Sequence, residues 1–117
     1  GDMAKFAQRL LGGQDSRHRT AVKDNAQPTG APLLGSYGLG VLVSDSPLGE
    51  RFGHGGWTPG YRTDVHCYPG LGMTVGVMVN ADDPACSSTE DLLDFGGQIA
   101  AFAVENLNLD LKDKSHA

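Results

Sequence analysis

Phe52-Gly53-His54-Gly55-Gly56-Trp57-Thr58-Pro59-Gly60-Tyr61 is the stretch from which the fold of this chain is read. It leaves a short apolar strand, passes through a Gly- and Pro-rich turn, and re-enters a strand at Tyr61-Arg62-Thr63-Asp64-Val65. A histidine followed by two glycines at a strand end leaves the backbone uncovered, so that a ligand can approach main-chain N–H groups closely. An oxyanion-binding edge needs that geometry. The plainer alternative is a hairpin whose glycines only permit the bend and whose histidine is an ordinary residue.

Working outward, Tyr37, Leu39, Val41 and Val43 alternate with smaller residues, which predicts a strand with one bulky and one small face. Asp45-Ser46-Pro47-Leu48-Gly49 reads as a turn, and Glu50 to Gly56 as a second strand. Tyr61 to Tyr68 forms a third, and after Pro69-Gly70-Leu71-Gly72 the apolar run Met73 to Asn80 forms a fourth. Short turns between successive strands require antiparallel neighbours, hence a meander of three to four strands.

Helices flank this sheet. Met3, Phe6, Ala7, Leu10 and Leu11 fall on one helical face, with Asp2 to cap the start and Gly12-Gly13 to stop it. Gln14 to Gly35 reads as an irregular connection with a helical turn around Ala21 to Ala26. Beyond the turn Asp82-Asp83-Pro84, Ser87 and Glu90 have capping-box spacing, and Leu92, Phe95, Ile99, Phe102 and Ala103 mark the expected buried side of a long helix. Gly96-Gly97 inside it allows a close approach to the sheet, and the polar tail 108–117 is expected to fray. The fold class is therefore α+β, one domain over 1–117.

A net charge of −5, from 9 basic and 14 acidic residues, argues against nucleic acid or an anionic membrane as partner. No apolar run is long enough to cross a bilayer, and no export signal is recognisable. Cys67 and Cys86 are too few for a disulfide framework, and His18, His54, His66 and His116 lack metal-ligand spacing, so neither metal nor cofactor is expected. Cys67 alternates with apolar residues and reads as a buried thiol. The 17 glycines, about twice the usual share of about 7%, gather at the turns and around the central motif.

Three stretches together resemble a known family: Tyr37-Gly38-Leu39-Gly40-Val41, then Phe52 through Tyr61, then Pro69-Gly70-Leu71-Gly72 through Val79-Asn80. They look like the closing third of the β-lactamase-related serine hydrolases, which include class C β-lactamases, D-alanyl-D-alanine carboxypeptidases, D-aminopeptidases and lipase-like esterases. Asp2-Met3-Ala4-Lys5-Phe6-Ala7-Gln8 is similar to a helix of that family. The resemblance implies a partial β-lactamase/transpeptidase-like fold and a small-molecule ester, amide or β-lactam substrate. The family works with a Ser-x-x-Lys pair, a Tyr-x-Asn loop, and a Lys-Thr-Gly or His-x-Gly pocket strand. His54-Gly55-Gly56 matches the third motif. By that match His54 assists the proton network or positions substrate, Gly56 and Trp57 present the backbone oxyanion donor, and Gly55 and Tyr61 line the substrate pocket.

The chain departs from the family in two respects. None of Ser16, Ser36, Ser44, Ser46, Ser87, Ser88 and Ser115 has lysine three residues on, and no tyrosine has asparagine two on. The expectation is a C-terminal portion that is inactive alone and needs the missing N-terminal part as partner. A non-catalytic binding module and one chain of a split hydrolase are the alternatives. Gly55 also stands where the lactamases carry Thr or Ser, which favours an esterase or aminopeptidase parent. In the family, N-terminal strands complete the sheet beside the last meander strand. Here that strand is Met73 to Asn80, so exposure of its edge predicts self-association.

Overall fold

The computed structural model describes residues 2–13, 16–80 and 88–107. Ser87, Cys86, the turn Asp82-Asp83-Pro84 and the tail 108–117 lie outside the described residues. The elements run α1 (Asp2–Leu11), α2 (Arg17–Asn25), β1 (Gln27–Pro28), β2 (Ser36–Gly38), β3 (Val41–Ser46), β4 (Gly49–Thr58), β5 (Tyr61–Tyr68), β6 (Met73–Val79) and α3 (Thr89–Asn106). All six strands form one antiparallel sheet in the order β1-β2-β3-β4-β5-β6. The α+β meander between an N-terminal and a long C-terminal helix is as expected, with more strands than the alternation predicted.

The extra strands have a local cause. The run from Tyr37 to Val43 is two strands, broken at Leu39-Gly40, where both residues take positive φ, 51° and 79°. A two-residue hairpin turn of that kind matches the right-handed twist of its flanking strands. The supposed irregular connection contains α2, whose cap Ser16 accepts from the Arg19 amide at 3.2 Å. Its only buried residue is Val22, too little apolar periodicity to announce a helix.

The other turns follow their chemistry. Between β4 and β5, Pro59 presets φ at the second turn position and Gly60, at φ 88°, takes the third. Ser46 Oγ accepts from the Leu48 amide at 3.1 Å between β3 and β4. Pro69–Leu71 forms a 3-10 turn closed by left-handed Gly72 before β6.

Strand alternation gives the sheet two covered faces. On the first, Phe52 and Cys67, opposite each other, are fully buried with Leu11 of α1 and Val22 of α2. On the second, α3 covers Arg51, Asp64, His66 and Tyr68, and an apolar cluster forms from Tyr68, Leu71, Val75 and Ala100. Fully burying a Phe or Leu side chain is worth about 1.5–3 kcal/mol each.

The helix faces depart from expectation. α3 buries Leu92, Leu93, Gly96 and Ala100, while Phe102 is 67% exposed and Phe95 and Ile99 are exposed too. Gly96 lies over Asp64, Val75 and Val77 of the strands beneath. Even so, a Cβ on Gly96 would find ordinary contacts at 3.8 Å from Asp64 Oδ2 and Val77 Cγ2. In α1, Ala7 and Leu11 are buried while Met3 and Phe6 are exposed. The capping box is set one residue later than Ser87 and Glu90: Ser88 Oγ accepts from the Asp91 amide at 3.0 Å, and Asp91 Oδ2 accepts from the Ser88 amide at 3.2 Å.

Candidate functional site

β4 is longer than its neighbour on one side. Pairing with β3 stops at Leu42 opposite Gly53, whereas pairing with β5 continues to Thr58 opposite Tyr61. From His54 to Thr58 one backbone edge of β4 therefore has no strand beside it among the described residues. Glycine at 53 is required by close approach, since a Cβ there would lie 1.9 Å from the Val65 carbonyl oxygen. A Cβ at Gly55 would meet Thr89 Cγ2 at 2.7 Å, and one at Gly56 would meet Thr63 Oγ1 at 2.6 Å. Gly55 thus has a packing reason of its own: a Thr or Ser there would have to push aside the Thr89 methyl. Gly56 is half-buried and Trp57 is 56% exposed, so neither is buried by side chains of the described residues.

His54 is exposed and projects from the sheet face that carries α1. Its Nδ1 contacts the Gly55 carbonyl oxygen. Nε2 then remains as the atom available to another group. The Tyr37 ring stands edge-on to the imidazole, with centroids 5.7 Å apart and planes at 65°. Next to His54 opens a cavity of about 390 Å³ whose lining includes Met3, Phe6, Leu39, Gly55 and Thr63.

His54, Gly55 and Gly56 are thus grouped on the open edge, but Tyr61 is not with them. It sits opposite Thr58, four residues along β4 from His54 and about 13 Å away at strand rise. Trp57 alternates to the face opposite that of His54, although its backbone shares the edge.

A second histidine escaped the sequence reading. His66 and Asp64 stand two apart on β5 and so share a face. His66 Nδ1–H donates to Asp64 Oδ2 at 2.8 Å, both side chains being 2% exposed under α3. Arg51 Nε, alongside, donates to Ser44 Oγ at 2.9 Å. Asp64 Oδ1, His66 Nε2, Tyr68 OH and Arg62 Nε are buried without a partner among the described residues. This pair is buried under α3, on the sheet face opposite that of His54. Cys67 is buried as expected. Burial pushes its thiol pKa up, against smaller opposing effects of the Thr74 hydrogen bond and the Arg19 charge. Among the described residues no group of three or more His, Cys, Asp or Glu is placed to hold a metal ion.

Compared with protein families, residues 1–96 match the model described as Beta-lactamase. Comparisons with curated proteins and with solved structures give no match.

Proposed function

Because this chain belongs to the β-lactamase family, we propose that it forms the pocket-strand part of a serine hydrolase and is completed by a segment carrying Ser-x-x-Lys and Tyr-x-Asn. The observation that carries this reading is the edge of β4 from His54 to Thr58, beside which no strand pairs among the described residues, with His54 on it. Backbone N–H groups along that edge, that of Trp57 among them, bind the developing oxyanion. Such a donor contributes about 3 kcal/mol in the transition state. His54, with Nδ1 against the Gly55 carbonyl, offers Nε2 to the proton network or to a substrate oxygen. The substrate is a small ester or amide, since position 55 lacks the hydroxyl with which a lactamase grips a carboxylate.

The 117 residues hold no Ser-x-x-Lys. Alone, they are therefore expected to turn over neither a chromogenic ester nor a cephalosporin, and to take no label from a serine-reactive phosphonate. Joined to a segment that carries the two missing motifs, the same residues should hydrolyse short acyl esters. His54→Ala should then reduce kcat/KM by about 10²-fold, as loss of one proton-handling group does. Labelling of the isolated chain, or full activity in the His54→Ala enzyme, would sink the reading.

A further inference from the structure

We propose that Tyr37 is a positioning residue for His54, a role that rests on His54 being the proton-handling group of the proposed hydrolase: the phenol ring holds the imidazole in one orientation and leaves Nε2 for substrate or the proton network. His54 is exposed, and an exposed side chain turns among its staggered rotamers unless something holds it. Two contacts do so here. Nδ1 meets the Gly55 carbonyl oxygen, and the Tyr37 ring meets the imidazole with centroids 5.7 Å apart and planes at 65°. That separation and tilt belong to the edge-to-face arrangement that aromatic pairs prefer. The first contact comes from the next residue along β4, whereas the second comes from two strands away and ties the imidazole to the body of the sheet.

The register puts both residues at one level of the sheet. Tyr37 lies opposite Leu42 of β3, and Leu42 lies opposite Gly53, the residue before His54. On its other flank Tyr37 is opposite Gln27 of β1, so its strand is paired on both sides. β2 is also pressed against the end of α2, since a Cβ on Gly38 would lie 2.8 Å from the Val22 carbonyl oxygen and 2.9 Å from Ala26 Cα. Tyr37 therefore stands on a fixed support, which a group that orients another requires. An imidazole already in place loses no orientational freedom as the transition state forms, and a displacement of about 1 Å costs up to about 10²-fold in rate. Tyr37 is itself 44% exposed, so shortening it removes the contact without opening the core.

The test uses the chain joined to the segment that carries Ser-x-x-Lys and Tyr-x-Asn, with a short acyl ester as substrate. Tyr37→Ala and Tyr37→Leu should each lower kcat/KM by about 10-fold, with the loss in kcat rather than KM. Tyr37→Phe keeps the ring and should stay within about twofold of the parent. In a His54→Ala background, Tyr37→Ala should cause no further loss, because the ring acts only through the imidazole. Proton NMR of the joined chain should show nuclear Overhauser contacts between the two rings, and circular dichroism checks that each variant is folded. Unchanged kinetics in both ringless variants, an equal loss in Tyr37→Phe, additive losses in the double variant, or the absence of the ring-to-ring contact would each overturn the proposal. A His54→Ala enzyme of full activity would take the reading of His54 down with it, whereas a loss in His54→Ala alone would remove the role of Tyr37 and leave that reading standing.

Discussion

His66 and Asp64 have the most to lose from single changes. Removing one member of a buried hydrogen-bonded pair strands the other, which costs about 1–3 kcal/mol, whereas replacing both with apolar residues of similar shape is often nearly neutral. His66→Leu should therefore lower stability by about that much in urea unfolding. The double variant Asp64→Leu/His66→Leu should recover most of the loss. A double variant no better than the single one would mean that the pair, with its neighbours Arg51 and Tyr68, contributes more than its own desolvation. Cys67 gives a pH dependence. Its folded-state pKa is raised, so below the unfolded-state value the thiol is protonated in both states and its contribution to stability is whole. As pH climbs past 9.0 the unfolded chain ionises first, and stability falls until the folded pKa is passed. Unfolding midpoints should drop in that window for the parent chain and much less for Cys67→Ala.

Among the elements, the β2–β3 hairpin carries visible strain. Leu39 is the single non-glycine residue with positive φ among the described residues, and it is 64% exposed at the tip. An L-residue held there costs about 1–2 kcal/mol, and Asn-Gly is the pair this turn prefers. Leu39→Asn should raise stability by about 0.5–1 kcal/mol in denaturant unfolding. A decrease would show that the leucine side chain, which lines the cavity beside His54, gains more from packing than its backbone loses. The same residue shows why this hairpin was not legible beforehand: leucine reads as a strand former, and nothing local announces a positive φ. Pro59-Gly60 was legible because both residues are turn formers by geometry. The exposed Phe95, Ile99 and Phe102 belong to a third kind of case. Their spacing declares a helix, but which side it buries depends on the polar face of β5, a partner that periodicity within one segment does not reveal.

At the scale of the molecule, the α+β meander was legible because each turn is short and each strand finds its partner next in sequence. His54, Gly55 and Gly56 were recognisable as a group. The feature that leaves them open is tertiary: the pairing of β3 stops opposite Gly53 and β4 continues. Asp64 and His66 stand two apart and went unpaired in the sequence reading, because only the placement of α3 over them tells a buried pair from a surface one. The same meander order also shapes how the chain must assemble. Neighbouring strands close loops of a few residues, but the side chains of Gln8 and Thr74 meet across 66 positions. Loop-closure entropy grows by about 0.6 kcal/mol for each doubling of span. The first helix is thus the entropically dearest part to dock, and the sheet it covers can form without waiting for it.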